Sequence, residues 1–411
     1  MTLQLLTLEA FQEHAKTVSE RSFLQTEEMA ILLQKRGMTV ERIGLVKDHT
    51  VLVSALLYSL PMTGGLHMEI NCGPITSHPE SLPEFYRLLQ DYARQKGALQ
   101  LIVKPYQTYQ TFDSNGQPTS SEQTQFITDL TNLGYQFDGL QTGYPGGEPD
   151  WHYVKDLTGL TPTTLRSSFS KKGKALAKKT STFGIQLRQL KREELHLFKE
   201  ITEATSERRE YTDKSLDYYQ DFYDAFGDHC EFMVASINFQ DYLQNLQAGK
   251  AKLEKDITTL DEKLKLGQNP NKLNSQKREL EQQVATFDTR ILEAEQLIAQ
   301  HGSEDVLLAG SLFVYTPHES VYLFSGSYTE FNKFYAPMAL QEHVMQESLR
   351  RGISFYNLLG ITGLFDGTDG VLRFKQNFNG HIVRKMGTFR YYPNPLKYKM
   401  IQVIKKLLRR Q

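Results

Sequence analysis

Between Phe239 and Gln300, apolar residues return at alternating steps of three and four. Phe239, Leu243, Leu246, Leu253, Ile257, Leu260 and Leu264 mark one seam, interrupted by Lys250. Leu273, Leu280, Val284, Phe287, Ile291, Ala294 and Ile298 mark a second, interrupted by Lys277. The run Gly267-Gln268-Asn269-Pro270-Asn271 between them would break a continuous helix, because proline lacks an amide proton and clashes with the preceding turn. The spacing therefore predicts an antiparallel helical hairpin packed as a coiled coil, each arm roughly 40 Å long at about 1.5 Å per residue. Strand-like runs flank it at 231–237 and 306–315, so the chain returns near its point of departure. The hairpin reads as an insertion within a domain.

Around it lies a weak internal repeat. Residues 88–105, LLQDYARQKGALQLIVKP, and 343–360, HVMQESLRRGISFYNLLG, each combine an amphipathic helix, a basic residue with glycine, and a buried strand. Two strand-like runs precede each copy, at 43–47 and 51–60 in one and at 306–315 and 320–325 in the other. The pattern predicts an α+β fold of two similar units, a mixed sheet with helices in each. The expected division is 1–155 for the first unit, 156–238 with 303–411 for the second, and 239–302 for the arm.

Charge changes the picture more than composition does. The formal net charge is only -1, yet the last acidic residue is Asp369, and Arg373, Lys375, Arg384, Lys385, Arg390, Lys397, Lys399, Lys405, Lys406, Arg409 and Arg410 follow it. A second window without carboxylates, 158–192, carries Arg166, Lys171, Lys172, Lys174, Lys178, Lys179, Arg188, Lys191 and Arg192. Such fields attract polyanions: an RNA, a pyrophosphate or an anionic leaflet. They would equally serve as solvated helix faces. Near the end, Ile401, Ile404, Leu407 and Leu408 form an apolar stripe beside lysines and arginines, which suits either a leaflet or the protein's own surface.

The sequence excludes several chemistries. Cys72 and Cys230 are isolated and no HExxH or CxxC spacing occurs, so neither a disulfide framework nor a metal site is expected. The apolar run 51–62 is too short to span a bilayer and the N-terminus has no cationic start, which predicts a cytoplasmic protein. There is no GxxxxGK[ST] loop, GxGxxG turn or GxSxG elbow. An enzyme built this way would use a pre-activated donor and no cofactor. A coenzyme A acyltransferase would place a [QR]xxGx[GA] turn at a helix start. The nearest match, Ser170-Lys171-Lys172-Gly173-Lys174-Ala175, lacks the first residue and keeps that donor only as the alternative.

Several segments together resemble one family. They are Phe23-Leu24-Gln25-Thr26 with Lys35-Arg36-Gly37, Asn71-Cys72-Gly73-Pro74, and Val103-Lys104-Pro105-Tyr106 in the first half. Tyr322-Leu323-Phe324-Ser325-Gly326-Ser327, Phe355-Tyr356-Asn357-Leu358-Leu359-Gly360-Ile361, and Phe374-Lys375-Gln376-Asn377-Phe378-Asn379-Gly380 with Gly387 follow in the second. This pattern is similar to the FemABX family of peptidoglycan bridge-forming aminoacyltransferases, nearest its streptococcal branched-muropeptide ligases and staphylococcal members. The resemblance implies two GNAT-like domains with the helical arm in the second. It implies transfer of an amino acid, such as Ala, Ser or Gly, from aminoacyl-tRNA to the stem-peptide lysine or growing bridge of a lipid-linked or nucleotide-linked muramyl-pentapeptide.

Carried over by position, Lys35, Tyr106, Lys214, Tyr218, Tyr322 and Phe374 fall where precursor-binding residues are expected, and Lys375 matches the lysine tied to the transfer step. Cys72 stands for the usual Arg, Lys104 for Asp, and Lys214 where Arg is commoner. An ammonium cannot grip a phosphate bidentately as a guanidinium does. Lys171, Lys172, Lys178 and Lys179 are expected to meet tRNA or another anion. The inner membrane surface and a second copy of the chain, through the arm, are further expected partners.

Overall fold

The computed structural model describes residues 1–266 and 269–407. In chain order the first sheet starts with β1 (Thr2–Leu5), followed by helices α1 (Leu8–Lys16) and α2 (Glu27–Lys35), then β2 (Thr39–Lys47), β3 (Thr50–Met62), β4 (Gly65–Asn71) and the short β5 (Ile75–Thr76). Hairpin connections make β2, β3 and β4 antiparallel neighbours. Helix α3 (Leu82–Gln95) then carries the chain across, so β6 (Ala98–Lys104) returns parallel to β4. Phe85, Tyr86, Leu89 and Ala93 recur at steps of one, three and four along α3, and all are buried against this sheet.

After β7 (Thr108–Phe112), α4 (Thr124–Asn132), β8 (Gln136–Phe137) and β9 (Trp151–Asp156), the second half brings α5 (Lys171–Thr180), β10 (Gln186–Gln189), α6 (Leu195–Arg209), α7 (Leu216–Phe226) and β11 (Cys230–Asn238). The arm, α8 (Phe239–Lys265) and α9 (Pro270–His301), leads to β12 (Asp305–Tyr315), β13 (Ser320–Ser327), α10 (Ala336–Arg350) and β14 (Phe355–Ile361). The chain ends with α11 (Gly370–Lys375), β15 (His381–Lys385), β16 (Phe389–Tyr391) and α12 (Pro395–Leu407). β11 is buried along nearly its whole length, as befits a strand covered on both faces.

The two sheets do not respect the order of the chain. The first runs β1-β2-β3-β4-β6-β16-β8 and the second β10-β11-β12-β13-β14-β9-β15-β7. β7, from the first half, closes the edge of the second sheet against β15, while β16, from the C-terminal end, sits between β6 and β8 in the first. The expected break at residue 155 falls inside β9, all of which pairs within the second sheet. One apolar core also joins the halves: Phe11, Phe23 and Met29 pack in the same cluster as Phe198, Tyr219, Phe222 and Phe232.

α8 and α9 lie side by side and antiparallel, for Lys250 reaches Asp288 at 2.6 Å and Lys277 reaches Asp261 at 2.6 Å. The two lysines that interrupt the apolar seams thus each meet a carboxylate on the opposite helix. Gly249 leaves room for the Phe287 ring, which stands 2.7 Å from where a β-carbon would be. At the base, Asn238 caps α8 and donates to the Ser303 carbonyl at 2.9 Å, holding the two ends together. Phe239, Tyr242, Leu246 and Ala294 are buried there with Phe183 and Phe334. Gly267 and Gln268 of the expected turn, and Leu408, Arg409 and Arg410 of the basic tail, lie outside the described residues.

Candidate active site

The two copies of the internal repeat differ where their parallel strands meet. In the first sheet, β4 and β6 pair from Leu66 with Ala98 to Asn71 with Lys104. In the second, β13 and β14 pair only at Ser320 with Tyr356 and Val321 with Asn357. Beyond that point the strands diverge, while β14 stays paired with β9 along its other edge across an irregularity between Asn357 and Gly360. Leu359 there takes φ +55°, an uncommon value for a β-strand leucine. Splayed parallel strands leave backbone polar groups without a ladder partner, and such groups must bind something.

Part of that need is met by Lys375, the last residue of α11. Asp369 caps this short helix, accepting from the amides of Val371 and Leu372, and its other oxygen accepts from Thr362 at the end of the β14 segment. The cap aims the lysine back at the strand, where Nζ donates to the carbonyls of Leu359 at 3.0 Å and Gly360 at 2.6 Å. Lys375 is only 3% exposed. Burial pulls its ammonium down to about 7, with the Asp369 carboxylate working against the shift. The solvated cation of a basic tail that the sequence also allowed is therefore not what stands here. Phe374 packs edge-on against Phe378, 5.4 Å between ring centres, and secures the turn. Tyr144 and Pro149 lie directly against Gly360, at 2.8 and 2.7 Å from its absent β-carbon. The loop between β8 and β9 thus packs on Gly360, which supplies one of the lysine's two acceptors.

At the paired end of the splay is a buried polar network that pattern reading missed. Glu319 accepts from the Tyr106 hydroxyl at 2.7 Å, from Asn357 at 3.2 Å and from the Phe23 amide at 3.4 Å. Burial raises its pKa, with Tyr106 and Asn357 opposing. Lys385 donates to the Tyr106 carbonyl at 2.9 Å and sits 3.6 Å from that ring's centre. Burial lowers its pKa while Glu319 acts the other way. Asn357 also reaches His152 Nδ1 at 3.3 Å, and His152 Nε2 faces the Pro149 carbonyl at 3.2 Å. Burial holds that ring at about 3, hence neutral. The hints in the sequence were Tyr106 and Asn357, each within a segment of the family-like pattern; Thr316-Pro317-His318-Glu319 reads as a solvent-facing turn.

The remaining expected residues form separate groups. Lys35, on α2, pairs with Asp224 at 3.1 Å and Asp221 at 3.9 Å on α7. Beside it Arg36 stacks over the Tyr218 ring at 4.9 Å, and Lys214 lies over the same ring at 5.4 Å. Tyr218 is edge-on to Phe324 of β13 at 6.0 Å, and the Tyr322 hydroxyl donates to Ser325 at 2.6 Å on that strand. Lys35, Lys214 and Tyr218 are therefore one surface group leading to β13, while Tyr106 belongs to the buried network. Lys104 is not free: it meets Glu69 at 2.9 Å and Glu148 at 2.8 Å. Lys171, Lys172, Lys178 and Lys179 are exposed on α5, whose Gly173 touches the Asn377 carbonyl just beyond Lys375. Among the described residues there is no cluster of metal-ligating side chains.

The FemA aminoacyltransferase of Staphylococcus epidermidis is 28% identical over 411 residues, covering 98% of both chains. That of Staphylococcus aureus is 27% identical over the same span and coverage. Among solved structures, FemX superposes with a TM-score of 0.77 at 20% identity, over 98% of this chain and all of its own. A tandem GNAT protein from the clavulanic acid biosynthesis pathway gives 0.50 at 10% identity, over 96% and 98%. At such identities the structural likeness concerns the fold: paired α+β units of the GNAT kind. The family model matched by residues 6–406 is that of FemAB, and the chain belongs to the FemAB family of aminoacyltransferases.

Proposed function

We propose that the chain transfers an amino acid, Ala, Ser or Gly, from aminoacyl-tRNA to the stem-peptide lysine or growing bridge of a muramyl-pentapeptide precursor. The observation that carries this reading is Lys375, buried beside the irregular stretch of β14 with its ammonium on two strand carbonyls. In its charged form, which burial confines in the free protein to about pH 7 and below, the lysine has three donors. Two are engaged, and the third is assigned to the carbonyl oxygen of the aminoacyl ester. As the acceptor amine attacks, a C–N bond forms, the carbonyl oxygen gains charge that the ammonium offsets, and the C–O bond to the ribose breaks. The tRNA leaves with its hydroxyl, and the proton shed by the amine balances that oxygen. An ester is activated enough to need no further energy source.

Lys35, Lys214, Tyr218 and Tyr322 are assigned to the precursor, with Arg36 added to the group by its stacking on Tyr218. Tyr106 and Phe374 support the site from beneath. The exposed lysines of α5 are assigned to tRNA, since their helix abuts the turn after Lys375. The coiled-coil packing of the arm belongs to the same reading. The test is transfer of radiolabelled amino acids from a total charged-tRNA pool to lipid-linked and nucleotide-linked precursors. Lys375→Ala should reduce transfer by about a hundredfold or more. No tRNA-dependent labelling, together with coenzyme A binding, would replace this donor with an acyl thioester.

A further inference from the structure

The last helix, α12, presents its greasy side to solvent. Leu396, Met400, Val403 and Leu407 fall at steps of four, three and four, which places them in one line along the helix. They are 81%, 59%, 58% and 77% exposed, with Ile404 beside them at 46%. The opposite face is already occupied. Ile401 is buried over Gly64 and near Leu99, and Tyr398 stacks on Tyr392 with 4.0 Å between ring centres. The apolar stripe is therefore not the side by which the helix holds to its own protein.

Turning 100° per residue, Lys399 and Lys406 border the stripe on one side and Lys397 on the other. Among the described residues, none of these three lysines forms an ion pair with a carboxylate, the last ion pair of the chain being that of Arg390 with Asp138. Lysines with their stems along an apolar strip and their ammonium groups at its rim suit a surface that is apolar within and anionic at its edge. A second copy of the chain would suit it less, because two such faces brought together set lysine against lysine.

We propose that α12 is a membrane-docking helix, lying in the plane of an anionic leaflet with Leu396, Met400, Val403 and Leu407 among the acyl chains. The proposal stands without the acyl-transfer reading, since binding to lipid requires neither tRNA nor a peptide acceptor. In use, it would hold the protein at the surface where amphiphilic substrates collect.

Flotation of the full chain with vesicles of phosphatidylglycerol and phosphatidylcholine, against pure phosphatidylcholine, tests it. Binding should favour the anionic vesicles at least tenfold and weaken with salt. Leu396→Glu combined with Leu407→Glu should abolish it, while thermal melting stays at the parent value because both side chains are exposed. Lys399→Glu with Lys406→Glu should cost about fivefold per lost lysine, and more for the reversal. Equal binding to neutral vesicles, or binding unchanged in the leucine variant, overturns the proposal. So does self-association by light scattering that the leucine variant abolishes without any vesicle binding by the parent.

Discussion

Lys375 shows how a charged side chain can be decided by position rather than by type. Between pH 7 and 10.5 the unfolded chain keeps a proton that the folded chain gives up, because burial lowers this lysine from its ordinary 10.5 to about 7. This group therefore makes the fold gain stability as pH rises through that window and leaves a constant penalty below it. Lys375→Met should flatten the pH dependence of stability between 7 and 10 and should not transfer, even though it strands the Leu359 and Gly360 carbonyls. A variant that lost activity only by unfolding would keep the parent's pH dependence, and denaturant titration at several pH values separates the two. Glu319→Ala should cost about 3 kcal/mol in urea unfolding, since it strands the Tyr106 hydroxyl and the Asn357 amide in a buried place. Glu319→Gln, which retains an acceptor, should cost less. Sequence reading singled out Lys375 through its Phe374 and Gly380 context but did not foresee its burial, which depends on α11 folding back on β14. It missed Glu319 because the partners Tyr106 and Asn357 are remote in the chain, and no local pattern distinguishes this turn from an exposed one.

At the level of elements, the arm was the most legible feature, since its seams repeat over seven turns or more and its helices satisfy their backbone hydrogen bonds locally. The strands on either side were legible for the same reason, as short apolar runs bounded by turns. The splay of β13 and β14 was not, because both strands read as ordinary β sequence and their separation is a matter of pairing. The arm has two mechanical parts. Among the described residues of the arm, those that enter the core belong to its base: Phe239, Tyr242, Leu246 and Ala294. Replacing residues 251–286 by a short glycine-rich turn should leave the melting temperature almost unchanged, whereas removing 239–302 entirely should lower it by about 10 °C or more. Transfer by the first variant then reads out what the distal arm does: retained activity makes it dispensable for chemistry, and lost activity with unchanged melting gives it a binding role.

At the scale of the whole molecule, the exchange of β7 and β16 makes the two sheets interdependent. The repeat in the sequence identified two similar units, but three-residue β16 carries no signal of its own, and its place between β6 and β8 rests on pairings that span most of the chain. A chain ending at Lys385 loses an interior strand of its first sheet, not a dispensable tail. It should show non-cooperative melting and rapid proteolysis within residues 98–137, while a chain ending at Pro393, which lacks only α12, should melt as one unit. The same exchange sets an order in time. On the ribosome the first sheet has its β8 ready long before residue 389 is made, a delay of roughly 10–50 s at ordinary rates of synthesis. During that interval β6 has an open edge, so the nascent chain depends on something other than its own sheet to keep β6 from pairing with another strand.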